Sequence, residues 1–452
     1  MKLSELDVFH SDDQIAWVGS GGKTSLIFSS IQELYDSAVV TTTTHLSTSQ
    51  ASLATQHIEF HQLIDNFNER ILKHQVTLIT GGSDEKQSGK LKGFLPDELQ
   101  NLSTYCFNNS IPLFIEADGA RLRPIKAPAV HEPQIPDFVT KVCVVTGLGG
   151  LFKPLSEENI HRPELFSLIT GKSKNQIIDT EDIFKYLTSG EGGLKAIPTS
   201  SQRILFLNQI DLIDDKENIL LLALRCKPFF DHVFITSVNQ KSLDLDIYAH
   251  FGKLSCILLA AGESRRFGSP KQLAVWDNRS FIKTIIEKII KTCLNPNFVI
   301  LGAFKDLIFT ELHEYTTLNL LVNPDWKTGQ ASSVRVGIQA LPLEVEAVIF
   351  LLVDQPQISI ELINKLIIAY AVSKKKIISY RYRGKNRHPV LFSKPLFASL
   401  MKIEGNSGGR QLFESNPPEF IEITDPIQSL DFDTPEDLIA FRKHNFWTKT
   451  NE

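Results

Sequence analysis

Twice along this chain an apolar run ends in a glycine-rich loop that carries a lysine and leads into an amphipathic stretch. The first is Ile15-Ala-Trp-Val-Gly-Ser-Gly-Gly-Lys-Thr24. The second is Ile257-Leu-Leu-Ala-Ala-Gly-Glu-Ser-Arg-Arg-Phe-Gly-Ser-Pro-Lys271. A strand that stops at small residues and resumes as a helix is the joint of an α/β sheet. Small residues at that joint let backbone N–H groups approach an anion. Two such joints imply two α/β units, each with its own phosphate-type loop.

The flanking sequence fits that division, since 452 residues exceed one ordinary core. Strands are expected at Ile15–Val18, Ala38–Thr41, Val76–Thr80, Leu113–Glu116, Lys141–Thr146, Arg203–Leu207 and His232–Ile235. Helical patterns lie between them at Thr24–Tyr35, Ile160–Ile169, Asp182–Thr188 and Lys216–Leu224. This alternation predicts a doubly wound, mostly parallel α/β sheet. After Thr236 the pattern relaxes, and a new strand begins at Leu254. Domains of 1–250 and 251–452 follow, joined without a flexible linker. The second repeats the alternation, with strands at Cys256–Ala260, Phe298–Leu301, Leu318–Val322, Ala347–Val353, Ile377–Tyr382 and Val390–Phe392.

Composition narrows the partners. A net charge of -5 gives no global reason to bind nucleic acid. No apolar stretch approaches the length of a membrane span, and the opening Met-Lys-Leu-Ser-Glu-Leu-Asp lacks a signal core, so a cytoplasmic protein is expected. The five cysteines are isolated, and four lie in apolar runs, which favours buried thiols over disulfides or zinc.

In the second loop, Ala260, Ala261, Gly262, Ser264 and Gly268 are expected to bind a nucleotide, with Arg266 and Lys271 offsetting its charge. Asp354 ends the apolar run Ala347–Val353, where open α/β sheets bind ligands, and is a natural Mg²⁺ ligand beside phosphates. Asp433 or Asp431 could complete that site, with Asp433 preferred. Thr434-Pro435 reads as an N-cap and first helical residue. In Thr328-Gly-Gln-Ala-Ser-Ser333, Gln330 and Ser332 could read a nucleobase or cap a helix. Gly405-Asn-Ser-Gly-Gly-Arg410 suits an anionic acceptor through Arg410, and His388, in Arg387-His-Pro389, is expected to bind the same acceptor.

In the first loop, Gly19, Gly21, Gly22, Lys23 and Thr24 are expected to form a phosphate cradle, in which Thr24 could also face a Mg²⁺. Trp17 occupies the first glycine position of G-x-x-x-x-G-K-[ST], so the loop is a contracted, P-loop-like one. Glu116-Ala-Asp-Gly ends an apolar strand, as a metal-positioning carboxylate should. Asn208-Gln-Ile-Asp211 resembles a guanine-reading motif with glutamine in place of lysine.

Across about 254–440 these blocks resemble the molybdenum cofactor cytidylyltransferases, a branch of the MobA-like nucleotidyltransferases. The resemblance rests on Leu259 through Lys271, Gly329-Gln330-x-Ser-Ser, Asp354-Gln-Pro356, His388-Pro389 and Asp433-Thr-Pro435, with Phe267 where that family has Met. It implies a Rossmann-like nucleotidyltransferase fold and Mg²⁺-dependent transfer of CMP from CTP to molybdopterin phosphate, releasing pyrophosphate. The phosphate-loop roles carry to Gly262, Ser264, Arg266 and Lys271, and the metal role to Asp354. Another NTP or another phosphorylated acceptor is the alternative within the same chemistry.

Residues 10–240 resemble the YqeC-like family, accessory proteins for selenium-dependent molybdenum hydroxylases. Gly19 through Thr24, Thr41-Thr-Thr-Thr-His45, Glu116-Ala-Asp-Gly-Ala120, Lys126 through Pro133 and His161-Arg-Pro-Glu164 carry that resemblance. It implies nucleotide-linked cofactor maturation, with a molybdenum hydroxylase as client. The rival from another class is a noncatalytic carrier of a pterin cofactor.

Overall fold

Trp17, the residue that replaces a loop glycine, is fully buried in a central strand and stacks on Phe206 at 5.2 Å. The computed structural model describes residues 1–62, 75–84, 89–94, 96–119, 121–406 and 408–449. Ala120 and Ser407, which fall within the motifs above, lie outside the described residues. The chain separates into two compact units, Met1–Phe251 and Gly252–Glu452.

The first unit is built on β1 (Gln14–Gly19), β2 (Ala38–Thr42), β3 (Gln56–Glu59), β4 (Val76–Thr80), β5 (Leu113–Glu116), β6 (Lys141–Gly147), β7 (Gln202–Asn208), β8 (His232–Val238) and β9 (Leu245–Phe251). Among the described residues these form one sheet in the order β9-β8-β7-β6-β1-β5-β2-β4-β3. Its pairs are parallel except β8 with β9. β1, β2 and β6 are buried at every residue, as strands covered on both faces must be. Leu26, Ile27 and Ile31 of α1 (Lys23–Leu34) join Ile15, Trp17, Phe114, Phe206 and Phe234 in the core.

The second unit has β10 (Leu254–Ala260), β11 (Asn297–Leu301), β12 (Leu318–Val322), β13 (Ala347–Leu352), β14 (Ile377–Tyr382), β15 (Lys385–Ser393) and β16 (Glu419–Glu422). Their order is β12-β11-β10-β13-β15-β14-β16. β10 runs parallel to both neighbours, whereas β15 is antiparallel to β13 and β14. The sheet is therefore mixed, not a plain repeat of the first alternation. Only Arg383-Gly384, both at positive φ, separate β14 from β15, and so short a turn permits only a hairpin. The expected strand Val390–Phe392 is the inner end of β15, which also contains His388.

A second correction concerns Ile160–Ile169. Ile160–His161 pairs with Ile125–Lys126 as a short strand, and the helix starts only at Pro163 and runs to Thr170. Proline disfavours the helical conformation in the residue before it, and Arg162 takes a left-handed φ of 66°. Cys106, Cys143, Cys226 and Cys256 are buried free thiols, as expected.

Candidate active site

The second glycine loop leaves the carboxyl end of β10, between two parallel neighbours. Its backbone is held from below by Gln272, whose Nε2 donates to the carbonyls of Ala260 (2.8 Å) and Gly262 (2.9 Å). Ser264, at φ 56°, accepts the Lys271 backbone N–H on its hydroxyl at 3.1 Å. Ser264 thus shapes the loop that it was expected to serve as a ligand. Ala260 and Ala261 are buried, while Gly262 and Gly268 face open space, where an added Cβ would meet nothing within 4 Å. Gln272 follows Lys271 directly in the motif, and its neighbour's charge drew the sequence reading past it.

Charged groups converge on the loop. Lys271 Nζ lies 3.2 Å from Asp354 Oδ2 and 3.1 Å from Asp433 Oδ1, and Arg266 reaches the other Asp433 oxygen at 3.0 Å. Arg266 is 73% exposed, so this pair leaves its guanidinium largely in water. Burial pushes the Asp354 carboxyl above its ordinary value, and Asp431 and Asp433 add to this against the pull of Lys271. Asp354 Oδ1 is buried and makes no hydrogen bond among the described residues.

The segment bearing Asp433 is strapped to the end of β13. Gln355 Nε2 donates to Asp431 Oδ1 (2.6 Å), Gln357 Nε2 to the Leu430 carbonyl (2.5 Å), and the Phe432 N–H to the Asp354 carbonyl (3.1 Å). These bonds commit Asp431 to Gln355 and leave Asp433 to face Lys271. The Asp437 N–H donates to Thr434 Oγ1 at 3.2 Å, capping the helix Pro435–Lys449, so capping and charge placement coexist in one turn.

The other expected residues divide. Ser332 is internal: Asn323 Nδ2 donates to its hydroxyl (2.8 Å), which donates to the Gly329 carbonyl (2.8 Å) at the start of α2 (Gln330–Gln339). It holds the turn rather than presenting itself to a ligand. Gln330, His388 and Arg410 instead line one cavity of about 270 Å³, which none of Arg266, Lys271, Asp354 and Asp433 lines. Burial and the adjacent Arg410 charge bring the His388 imidazole down to about 4.

In the first unit the loop is short and pressed onto the sheet. Gly19, Gly21 and Gly22 all have positive φ, and a Cβ on Gly21 would sit 2.2 Å from Gly147 Cα. Asn208 Nδ2 donates to the Gly21 carbonyl at 2.8 Å, and the Ser20 hydroxyl to the Pro124 carbonyl at 2.9 Å. Lys23 is buried and folds back: its Nζ lies 2.7 Å from the Gly19 carbonyl and 2.9 Å from Asp118 Oδ1. Burial alone would lower the Lys23 pKa, but Asp118 and Glu116 outweigh it and hold it up. Thr24 Oγ1 donates to Glu116 Oε2 at 3.1 Å and accepts from Gln50 Nε2 at 2.6 Å.

A chain of charges, buried at Asp118 and Lys126 and half-buried at Glu132 and Arg162, continues outward from this loop. Lys126 bridges Asp118 (2.8 Å) and Glu132 (2.9 Å), and Arg162 grips both Glu132 oxygens at 2.7 and 3.1 Å. The network is assembled from Lys126 through Pro133 and from His161-Arg162, two motifs to which the sequence reading gave no chemical role. Asn208-Gln209 also lies beside the loop, with Gln209 Oε1 accepting the Gly149 N–H at 3.2 Å.

An open phosphate-type loop at the carboxyl end of a central parallel strand, faced by a lysine, an arginine and two carboxylates, defines a nucleotidyltransferase-type site. Residues 256–420 match the MobA-like NTP transferase domain, and residues 15–164 match the YqeC protein family. The chain belongs to the YqeC family through its first half and carries a MobA-like nucleotidyltransferase in its second. It is 32% identical to the uncharacterized protein YqeC of Escherichia coli over 43% of this chain and 75% of that one. It is 25% identical to the E. coli molybdenum cofactor cytidylyltransferase over 42% of this chain and 96% of that one. It is 26% identical to the purine catabolism protein PucB of Bacillus subtilis over 41% of this chain and 95% of that one. Among the described residues, no helix is long and apolar enough to cross a membrane.

Proposed function

We propose that the second unit transfers CMP from CTP to the phosphate of a molybdopterin-type acceptor, releasing pyrophosphate. The likeness to the E. coli molybdenum cofactor cytidylyltransferase supports the choice of donor and acceptor. The observation that carries the chemistry is the convergence of Lys271, Arg266, Asp354 and Asp433 at the mouth of the Gly262–Gly268 loop. In this reading the open backbone at Gly262 and Gly268 cradles the triphosphate. An acceptor phosphate oxygen attacks the α-phosphorus in line, a new P–O bond forms, and the bond to pyrophosphate breaks. Arg266 and Lys271 offset the charge gathering on the departing oxygens.

Asp354 and Asp433 would hold Mg²⁺, whose charge when bound neutralises phosphate oxygens and orients them. The donor set fits such an ion. Asp354 Oδ1 is buried without a hydrogen bond, and both carboxylates already face one cation, Lys271.

For the first unit we propose phosphate-ligand binding at Gly19–Thr24 in the service of molybdenum hydroxylase maturation. Lys23, already neutralised by Asp118, favours a binding role over turnover there. In this reading the two units serve successive steps on one cofactor, and their fusion in one chain supports it, since tethering raises effective concentration.

The test is pyrophosphate release from CTP, GTP and ATP, each with purified molybdopterin, metal-loaded and metal-free, with Mg²⁺ and with EDTA. Release from CTP with molybdopterin and Mg²⁺ is expected. Release from no nucleotide, alongside stoichiometric pterin binding, would establish the carrier instead.

A further inference from the structure

The glycine loop of the second unit is polarised: its carbonyls are answered from within the protein and its N–H groups are not. The Ala260 and Gly262 carbonyls accept from Gln272 Nε2 at 2.8 and 2.9 Å. Between them the Ala261 carbonyl accepts the Ala303 N–H at 3.1 Å. The Ser264 carbonyl accepts the N–H groups of Phe267 and Gly268 at 2.9 and 3.2 Å. By contrast, the N–H groups of residues 262–266 donate to no protein acceptor among the described residues. Gly262, Glu263, Arg265 and Arg266 are exposed, so a solute reaches this stretch. A run of unanswered N–H groups there is a receptor for an anion.

The carbonyl bonds decide where the N–H groups point. In a trans peptide the C=O and the following N–H face opposite ways. Holding the Gly262 carbonyl inward therefore turns the Glu263 N–H outward, and the bonds to Ala261 and Ser264 do the same for Gly262 and Arg265. The plane after Gly262 is the one most in need of a hold, because glycine lets it rotate at little cost. Gln272 supplies that hold from the turn Lys271–Leu273, where its side chain is buried. The Ser264 hydroxyl lies 3.5 Å from Gln272 Oε1, which leaves the amide nitrogen as the end that faces the carbonyls.

We propose that Gln272 is the positioning residue for the triphosphate: by holding the Ala260 and Gly262 carbonyls inward, it keeps the loop's N–H groups directed at phosphate oxygens. The inference rests on the nucleotide reading proposed above and names what fixes the polarity of that site. Without the Gln272 amide, the peptide after Gly262 is free to turn over and present a carbonyl dipole to the phosphates. Gln272 touches no reacting atom and acts only through the backbone it holds.

The test uses the full chain with three probes, CTP, inorganic tripolyphosphate and cytidine, titrated in EDTA by calorimetry. The component of binding that Lys271→Ala removes marks this loop and separates it from any phosphate site in the first unit. Gln272→Met keeps the side chain's length without its donor. It should weaken CTP and tripolyphosphate by about 10-fold or more, the scale of two lost hydrogen bonds. Gln272→Glu, an acceptor facing two carbonyls, should weaken them at least as much. Cytidine binding should change by less than about 2-fold, which a merely structural role would not spare. Without any variant, amide hydrogen exchange at residues 262–266 should slow when tripolyphosphate binds. Wild-type affinity for tripolyphosphate in Gln272→Met, equal weakening of cytidine, or no protection at 262–266 overturns the proposal. Turnover is not measured in these titrations. A chain that binds tripolyphosphate through Gln272 yet releases no pyrophosphate therefore overturns the reaction and leaves this inference standing.

Discussion

Lys271 and Asp433 meet at 3.1 Å across 162 residues of sequence, on the rim of the second glycine loop. The contact joins the loop that would cradle a triphosphate to the turn that precedes the last helix. Asp354 reaches the same ammonium from the end of β13. One cation thus holds together two carboxylates that would otherwise repel each other.

That arrangement separates catalysis from stability. Asp354→Asn should reduce pyrophosphate release by about 100-fold or more, the scale for losing one preorganised charge. Thermal unfolding should change little, because Lys271 keeps Asp433. Retained Mg²⁺-dependent turnover in this variant would remove Asp354 from the reaction. Arg266→Ala, at a largely exposed side chain, should likewise lower turnover without lowering the melting temperature.

Two glycines should respond oppositely to alanine. At Gly262 an added methyl meets nothing within 4 Å, so Gly262→Ala should fold normally and weaken nucleotide binding where backbone approach matters. At Gly21 the methyl would collide with Gly147 and the Pro124 carbonyl, at 2.2 and 2.8 Å, in a left-handed conformation. Gly21→Ala should therefore destabilise the first unit. Equal melting curves for the two variants would contradict this contrast.

The buried ion network of the first unit should be costly to break. Asp118 is almost fully buried and answers both Lys23 and Lys126. Asp118→Asn leaves those lysines undercompensated, at a cost of about 3–5 kcal/mol. For a unit of this size that is roughly 6–20 °C in melting temperature, measured by calorimetry.

Acid should weaken the first unit in two steps. Burial and the charges of Arg162, Lys126 and Arg121 bring His161 down from 6.5 to about 4. Between those values the unfolded chain binds a proton that the folded chain refuses, so stability falls as pH drops from 6.5 towards 4. Glu132 is desolvated, but Arg162 and Lys126 overcome this and hold its carboxyl at about 2. Its contribution is complete above the unfolded value of 4.5 and is lost as pH falls towards 2. His161→Gln should flatten the upper step of a melting-temperature profile and leave the lower one. An unchanged profile would count against the His161 assignment.

Legibility followed distance along the chain. Both glycine loops, their lysines and the carboxylates that end β5 and β13 were readable, because strand–loop–helix spacing is local. The turn Thr434-Pro435 was readable as a helix start for the same reason. The hairpin β14–β15 was missed although Arg383-Gly384 signalled it, since short apolar runs do not reveal their direction. Gln272 and Gln357 carried no sequence signal of their own, and Gln355 only its place in Asp354-Gln-Pro356; each works by hydrogen-bonding a distant or buried backbone or carboxylate.

By itself the sequence determined two α/β units, two glycine-rich loops at strand ends and the charged residues attached to them, because periodicity and local spacing encode strands, turns and helix starts. Only the tertiary structure decided which charges meet. It gave Asp431 to Gln355 and Asp433 to Lys271, turned Lys23 inward onto Asp118, committed Ser332 to its own turn, and gathered Gln330, His388 and Arg410 around one cavity. Such meetings depend on how elements far apart in sequence pack, and on which buried polar atom each packed arrangement leaves without a partner.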